Sequence, residues 1–481
     1  MRGAIGLLLA TAAVACGSAP PATTTLPLTP CRLEGLGVEA RCGKYRVFEN
    51  RVTRQGRELD LRVAVVPALS ASARQDPLFI IVGGPGQAAT ESGAQLAEAL
   101  WDVRSKRDIV LVDQRGTGQS HPLDCAGDEE PSLAERFAPR LDLGKTRACQ
   151  AELEADTTQY TTPIAVDDLD EIRGALGYER INLWGGSYGT RVALVYLRKH
   201  PTRVRTMILD GSAPTAIQLP MFVARDSQRA LDLLYADCEA DAHCQRAFPS
   251  ARQQLTLVLT RLAEQPHEAQ VRHPRTGAPE SVKIERDGLA SVLLNLLYVP
   301  DLAGLIPLGV DRAQSGDYAP MIAAAEAFAG AVELSTGMFL SIVCAEDVPR
   351  IQAAEASRLT KGTFLGGDWL ARWQAECSAW RAASLPEAYF EPITSDAPTL
   401  LLSGNLDPVT PPAWGEQVGS HLSRSRHVVV LGAGHGVSAL GCVPDLIDRF
   451  LDSEDPEALD VGCVERLQRP AFFTSLMGPS P

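Results

Sequence analysis

Leu78-Phe79-Ile80-Ile81-Val82, Ile109-Val110-Leu111-Val112, Ile181-Asn182-Leu183-Trp184 and Met207-Ile208-Leu209 are short apolar runs bounded by Gly, Asp or Pro. Such runs read as strands buried on both faces, and helical patterns between several of them predict a mostly parallel α/β sheet. The pattern stops near Pro214 and resumes at Pro398-Thr399-Leu400-Leu401-Leu402 and His427-Val428-Val429-Val430-Leu431, so about 180 residues interrupt it. Upstream, Leu59, Leu61, Val63 and Val65 alternate with more polar neighbours, as in a strand with one buried face. The interruption carries Leu255, Val258, Leu259 and Leu262, then Leu289, Val292, Leu293 and Leu296, at the i, i+3, i+4, i+7 spacing of amphipathic helices. It is therefore predicted to be a mainly helical cap. Gln270-Val271-Arg272-His273 and Ser281-Val282-Lys283-Ile284 flank a turn-rich stretch and form a candidate hairpin within it.

The first residues read as an export signal. Arg2 precedes the apolar run Ala4 to Ala15, which is too short to span a bilayer, and a Pro/Thr-rich tether follows. Ala13-Val14-Ala15-Cys16 has the look of a lipobox, with Ala13 where Leu is usual, so lipid on Cys16 would hold the protein to a membrane. The rival is cleavage without lipid at the same small residues. The expected organisation is a signal peptide at 1–15, a tether at 16–30, core at 31–215, cap at 216–392 and core again at 393–481. Eleven cysteines leave ten once Cys16 is set aside, and these fall into five sequence-local couples suited to disulfides in an oxidising compartment. No Cys or His spacing matches a zinc site. A formal net charge of −14 without a basic run argues against nucleic acid as a partner.

Gly185-Gly186-Ser187-Tyr188-Gly189 fits G-x-S-x-G between a strand and the helical run Arg191 to Lys199, the setting of a nucleophile elbow. A serine hydroxyl needs a histidine to take its proton and an acid to orient that histidine. His435, in Gly432-Ala433-Gly434-His435-Gly436 just after the last strand, is a better candidate than His427, which begins that strand. Asp407 is the acid in the loop after the preceding strand, with Asp210 at the end of the Met207 to Leu209 strand as its rival. Gly83-Gly84-Pro85-Gly86 follows the Leu78 to Val82 strand and is a candidate oxyanion loop, with the N–H groups of Gly84 and Tyr188 as donors. Asp113 and Arg115 read as a charged pair holding a loop wall. Asp167, Asp168 and Asp170 read as the acidic first turn of a helix leading to Gly177.

Together with Asp113-Gln114-Arg115-Gly116-Thr117-Gly118-Gln119-Ser120, Cys344-Ala345-Glu346-Asp347 and Ser403-Gly404-Asn405-Leu406-Asp407-Pro408-Val409-Thr410-Pro411, these motifs make the chain resemble the α/β-hydrolase peptidases. That family includes prolyl aminopeptidases and, more closely, secreted bacterial tripeptidyl aminopeptidases; the resemblance covers about residues 31 to 465. It implies an α/β-hydrolase fold and a serine peptidase acting through an acyl-enzyme on peptides with a free N-terminus, with no cofactor and no metal. Val82 stands where the family's oxyanion loop often has His, and the Trp-Glu motif of prolyl aminopeptidases is not evident in the cap. Rival readings are an esterase or lipase with the same triad and a non-catalytic binding protein on the same fold. An aminopeptidase must also read the substrate's ammonium, and Glu346 and Asp347 are the candidate anchor, weighed against carboxylates that cap a helix or are solvated. The sequence sets no oligomeric state.

Overall fold

The computed structural model describes residues 26–125, 131–330 and 333–479. The export signal, most of the tether and Cys16 lie outside the described residues. Nine strands form one sheet: β1 (Thr29–Cys31), β2 (Ala40–Phe48), β3 (Glu58–Val66), β4 (Arg74–Ile81), β5 (Arg107–Val112), β6 (Ile181–Gly186), β7 (Val204–Asp210), β10 (Thr399–Gly404) and β11 (Ser425–Val430). Their order is β1-β2-β3-β5-β4-β6-β7-β10-β11. β1, β2 and β3 pair antiparallel, as do β3 and β5, and every pairing from β5 to β11 is parallel. The intervening β8 (His267–Arg272) and β9 (Pro279–Ile284) make the separate hairpin.

The parallel strands are buried on both faces because successive apolar side chains serve different cores. Phe79, Ile81, Val110, Leu183, Met207 and Leu209 face one apolar cluster, whereas Leu78, Ile80, Leu111, Trp184, Ile208 and Leu402 face the other. At roughly 25 cal/mol per Å2 of apolar surface removed from water, this two-sided burial is the main force holding the sheet. A third cluster lies between the helices of the interruption and draws on Leu231, Leu255, Leu262, Leu293 and Leu297. Leu231 comes from the helix Leu219–Ala240, while the helices Ala251–Glu264 and Arg286–Leu297 supply Leu255, Leu262 and Leu293 at the spacing read from the sequence.

Two local expectations are corrected. Thr29 and Pro30 belong to edge strand β1 and not to the tether, since they pair with Cys42 and Arg41. The helix carrying Asp167, Asp168 and Asp170 starts at Thr162, with Pro163 in its first turn, so these residues lie beyond that turn. They act as ion-pair partners: Asp168 meets Arg115 at 2.6 Å, Asp170 meets Arg173 at 2.7 Å and Asp167 meets Lys199 at 2.7 Å.

Five disulfides join Cys31 to Cys42, Cys125 to Cys149, Cys238 to Cys244, Cys344 to Cys377 and Cys442 to Cys463. We expect intact-mass analysis of the denatured, unreduced protein to show none of these ten cysteines alkylated, and all ten after reduction. Two or more reactive thiols among them before reduction would contradict these pairings.

Candidate active site

The register of the sheet brings the carboxyl ends of four strands into line. Gly186 of β6 pairs with Asp210 of β7, Leu402 of β10 pairs with the same Asp210, and Gly404 pairs with Val430 of β11. Ser187, Asp407 and His435 follow β6, β10 and β11 respectively, so all three issue from one edge of the sheet. This is the edge at which open α/β sheets bind ligands.

Ser187 has a positive φ of 54° with ψ −123°, between β6 and the helix Tyr188–Lys199. A non-glycine residue held there carries backbone strain that the surroundings must enforce. Gly189 makes the turn fit: a β-carbon at that position would lie 2.0 Å from the Ile81 carbonyl oxygen of β4. At Gly185 it would lie 2.5 Å from the Gly189 oxygen, so both flanking glycines are needed for close backbone approach. Opposite the turn, an added β-carbon on Gly83 would come 2.9 Å from the Ser187 β-carbon. The oxyanion-loop candidate therefore touches the nucleophile candidate. Among the described residues, the N–H groups of Gly84 and Tyr188 donate to no protein acceptor.

Asp407 is fully buried. One carboxylate oxygen accepts the Val409 and Thr410 N–H groups, each at 2.8 Å. The other accepts the Thr410 hydroxyl at 2.8 Å and lies 2.8 Å from His435 Nδ1. Burial works to raise the Asp407 carboxyl, but the His435 ring and the Thr410 and Val409 N–H groups overcome it and hold the group below its ordinary range. Burial likewise works against the His435 imidazolium; Asp407 outweighs it, with a smaller contribution from Asp210, and the ring's pKa rises above its ordinary value of 6.5. The acid and histidine loops are knitted by Leu406 N–H to the Ala433 carbonyl at 2.9 Å and Gly432 N–H to Asn405 Oδ1 at 2.7 Å. Asp210, the rival acid, spends its carboxylate on the Val437 and Ser438 N–H groups of the loop beyond the histidine, and Asp407 holds Nδ1. His427 instead pairs with Ser403, Nε2 to Oγ at 3.0 Å.

A residue not singled out in the sequence also reaches the histidine. The Tyr298 carbonyl accepts the His435 N–H at 3.1 Å, and the two rings meet edge to face with centroids 5.1 Å apart. Tyr298 closes the helix Arg286–Leu297 of the interruption, and no sequence motif marked it.

Glu346 and Asp347 are placed elsewhere, which corrects their expected role as an amine anchor. The helix Thr336–Glu346 is apolar on nearly every side and packs Met338 and Ile342 into a sheet-face core, so it carries both carboxylates fully inside. There they flank Arg191 of the elbow helix: Glu346 lies 3.2 Å and Asp347 2.9 Å from the guanidinium. Glu346 also accepts the Thr162 N–H and hydroxyl at 2.8 and 2.9 Å and the Tyr389 hydroxyl at 2.5 Å. Asp347 accepts the Leu219 N–H at 3.3 Å. With these partners in place, the pair is the counter-charge of a buried arginine and presents nothing to a substrate ammonium. Asp113 and Arg115 are also structural: Asp113 accepts the Thr90 N–H at 2.8 Å and the Gln119 N–H at 3.1 Å, while Arg115 bonds Asp168 and the Glu49 carbonyl.

Residues 53–262 match the family model described as alpha/beta hydrolase fold, and residues 363–463 match the one described as TAP-like protein. The chain has the α/β-hydrolase fold and is a serine hydrolase. The hydrolase is 26% identical over 467 residues to serine protease Hip1 of Mycobacterium tuberculosis, covering 88% of each chain. Over 187 residues it is 30% identical to tripeptidyl aminopeptidase of Streptomyces lividans, covering 36% of this chain and 35% of the relative. A solved proline iminopeptidase of Mycobacterium smegmatis aligns over 86% of the hydrolase and 99% of its own chain, at 15% identity and a TM-score of 0.42.

The Arg191 cluster generates a test of the hydrolase's stability. Arg191→Met would leave two buried carboxylates without their cation, and removing one partner of a buried ion pair costs roughly 3 to 5 kcal/mol. Chemical denaturation should show a loss of that order; a loss below about 1 kcal/mol, the range of an exposed pair, would contradict the assignment.

Proposed function

We propose that the hydrolase is an exported serine peptidase that removes N-terminal residues or short peptides through an acyl-enzyme. Ser187 Oγ attacks the scissile carbonyl while His435 Nε2 takes its proton, and Asp407 orients the ring through Nδ1. The tetrahedral oxyanion receives the N–H groups of Gly84 and Tyr188. As the intermediate collapses, the C–N bond breaks and His435 returns the proton to the leaving amine; water then repeats the sequence on the ester and frees Ser187. The observation that carries this reading is the buried Asp407 with His435 Nδ1 at 2.8 Å, on the same sheet edge as a serine held at φ 54°. Among the described residues the N–H groups of Gly84 and Tyr188 have no protein acceptor, which suits them to receive an oxyanion. Similarity to serine protease Hip1 along 88% of the chain favours peptide over simple ester substrates. Five disulfides favour an oxidising compartment, and lipid on Cys16 would tether the protein there.

Ser187→Ala should lower turnover of peptides with a free N-terminus by about a thousandfold or more while leaving the circular dichroism unchanged. Activity within about tenfold of the parent would remove Ser187 as the nucleophile. Faster cleavage of N-terminally blocked peptides or simple esters would move the substrate class away from aminopeptidase work.

The pH dependence follows from His435. Only the neutral ring accepts a proton, and its pKa is raised, so kcat/KM should fall as pH drops through a midpoint above 6.5. A pH–rate profile with its acid midpoint at or below 6.5 would contradict the Asp407–His435 coupling.

A further inference from the structure

Asp210 ends β7 with only 2% of its surface exposed, and no step above uses it. Its main-chain carbonyl accepts the Ser187 N–H at 2.9 Å. Its carboxylate takes donors from the opposite side of the site. These are the Val437 N–H at 2.8 and 3.1 Å, the Ser438 N–H at 2.8 Å and the Ser438 hydroxyl at 2.6 Å. The Ser438 hydroxyl in turn accepts the indole N–H of Trp184, on β6, at 2.8 Å. Bonds thus run from Ser187 to Asp210, across to the segment just after His435, and back to the strand that leads into Ser187. The neighbouring Gly211 closes the gap, since a β-carbon there would lie 3.3 Å from His435 Cε1.

The choice of residue is informative. Burying a carboxylate is costly, and no Lys or Arg pairs with Asp210 among the described residues. Asn could join the same two segments with a smaller desolvation cost, but it offers only one acceptor oxygen to the three donor groups. A carboxylate serves all three and adds negative potential beside His435, whose other close neighbours are Asp407, Thr410 and the Tyr298 ring.

We propose that Asp210 is a positioning residue that fixes the distance between Ser187 and His435, gripping the nucleophile turn with its carbonyl and the histidine loop with its carboxylate. This rests on reading those two residues as nucleophile and base. Its importance follows from the steep dependence of such reactions on geometry, where a displacement of about 1 Å can cost a hundredfold.

The test is steady-state kinetics on a tripeptide amide with a free N-terminus, using full-length Asp210→Asn, Ser438→Ala and the double variant, with thermal unfolding of each. Asp210→Asn should lose at least about tenfold in kcat with KM held within about threefold, because geometry and not substrate binding is disturbed. Its acid midpoint should move to lower pH. The double variant should be no more than about twofold slower than Asp210→Asn, since both changes cut one link. A folded Asp210→Asn enzyme with unaltered kcat, a loss carried by KM, an unmoved acid midpoint, or additive losses in the double variant would overturn the proposal. If Asp210→Asn does not fold, Ser438→Ala decides: a fall in kcat at unchanged KM supports the proposal, and parental kcat overturns it. An active Ser187→Ala enzyme would instead sink the underlying reading.

Discussion

The helix Tyr188–Lys199 approaches β4 so closely that the space for a Gly189 β-carbon is taken by the Ile81 carbonyl. That approach places the helix N-terminus at the sheet edge, where backbone N–H groups lack intrahelical partners and the helix dipole is positive. The strained φ of Ser187 follows from the same geometry, because the chain must reverse within one residue to pass from strand to helix. The Gly83 to Gly86 segment then has one place to go, against the turn, and helix Thr336–Glu346 starts beside it, with Ser335 N–H bonded to the Gly86 carbonyl at 3.0 Å. A glycine one atom too large would push the elbow off the sheet and disperse everything arranged around it.

Three buried arginines organise much of the charge inside this protein. Arg107, Arg115 and Arg191 are all fully buried, and each is met by carboxylates or main-chain carbonyls from segments distant in sequence. Arg107 ties β5 to the helix Val443–Ser453, Arg115 ties the loop after β5 to the helix Thr162–Ala175, and Arg191 ties the elbow helix to Thr336–Glu346. Planar guanidinium groups suit this use, since several donors in a fixed fork engage more than one partner at once. Such contacts add little net stability over a well-packed apolar core, but they penalise any packing in which a partner is missing.

Much of the sheet was legible because β4 to β7, β10 and β11 are continuous apolar runs, a pattern that two-sided burial imposes. β2 was not, since Ala40–Phe48 carries Arg41, Lys44 and Arg46 near the sheet's edge and only alternate residues are covered. Ser187, Asp407 and His435 were readable as candidates because each follows a strand end, where chain order and spatial order coincide. Glu346 and Asp347 were not, because their surroundings depend on Arg191, 155 residues from Glu346, and no local pattern announces such a partner. Tyr298 and the side-chain bonds of Asp210 were invisible for the same reason: both depend on how distant segments pack.

The disulfides close intervals of only 6 to 33 residues, and each has both cysteines within the interruption at 216–392 or both outside it. No covalent link among the described residues therefore spans the two regions apart from the chain itself. Their mutual placement depends on non-covalent contacts: the buried Arg191 pairing with Glu346 and Asp347, the Arg350 guanidinium on the Thr215, Ala216 and Ile217 carbonyls, and the Tyr298 carbonyl on the His435 N–H. The cross-links thus stiffen each part without locking one to the other. Reduction of the bridges would therefore loosen each part from within, while the packing and ion pairs that join the two parts would remain.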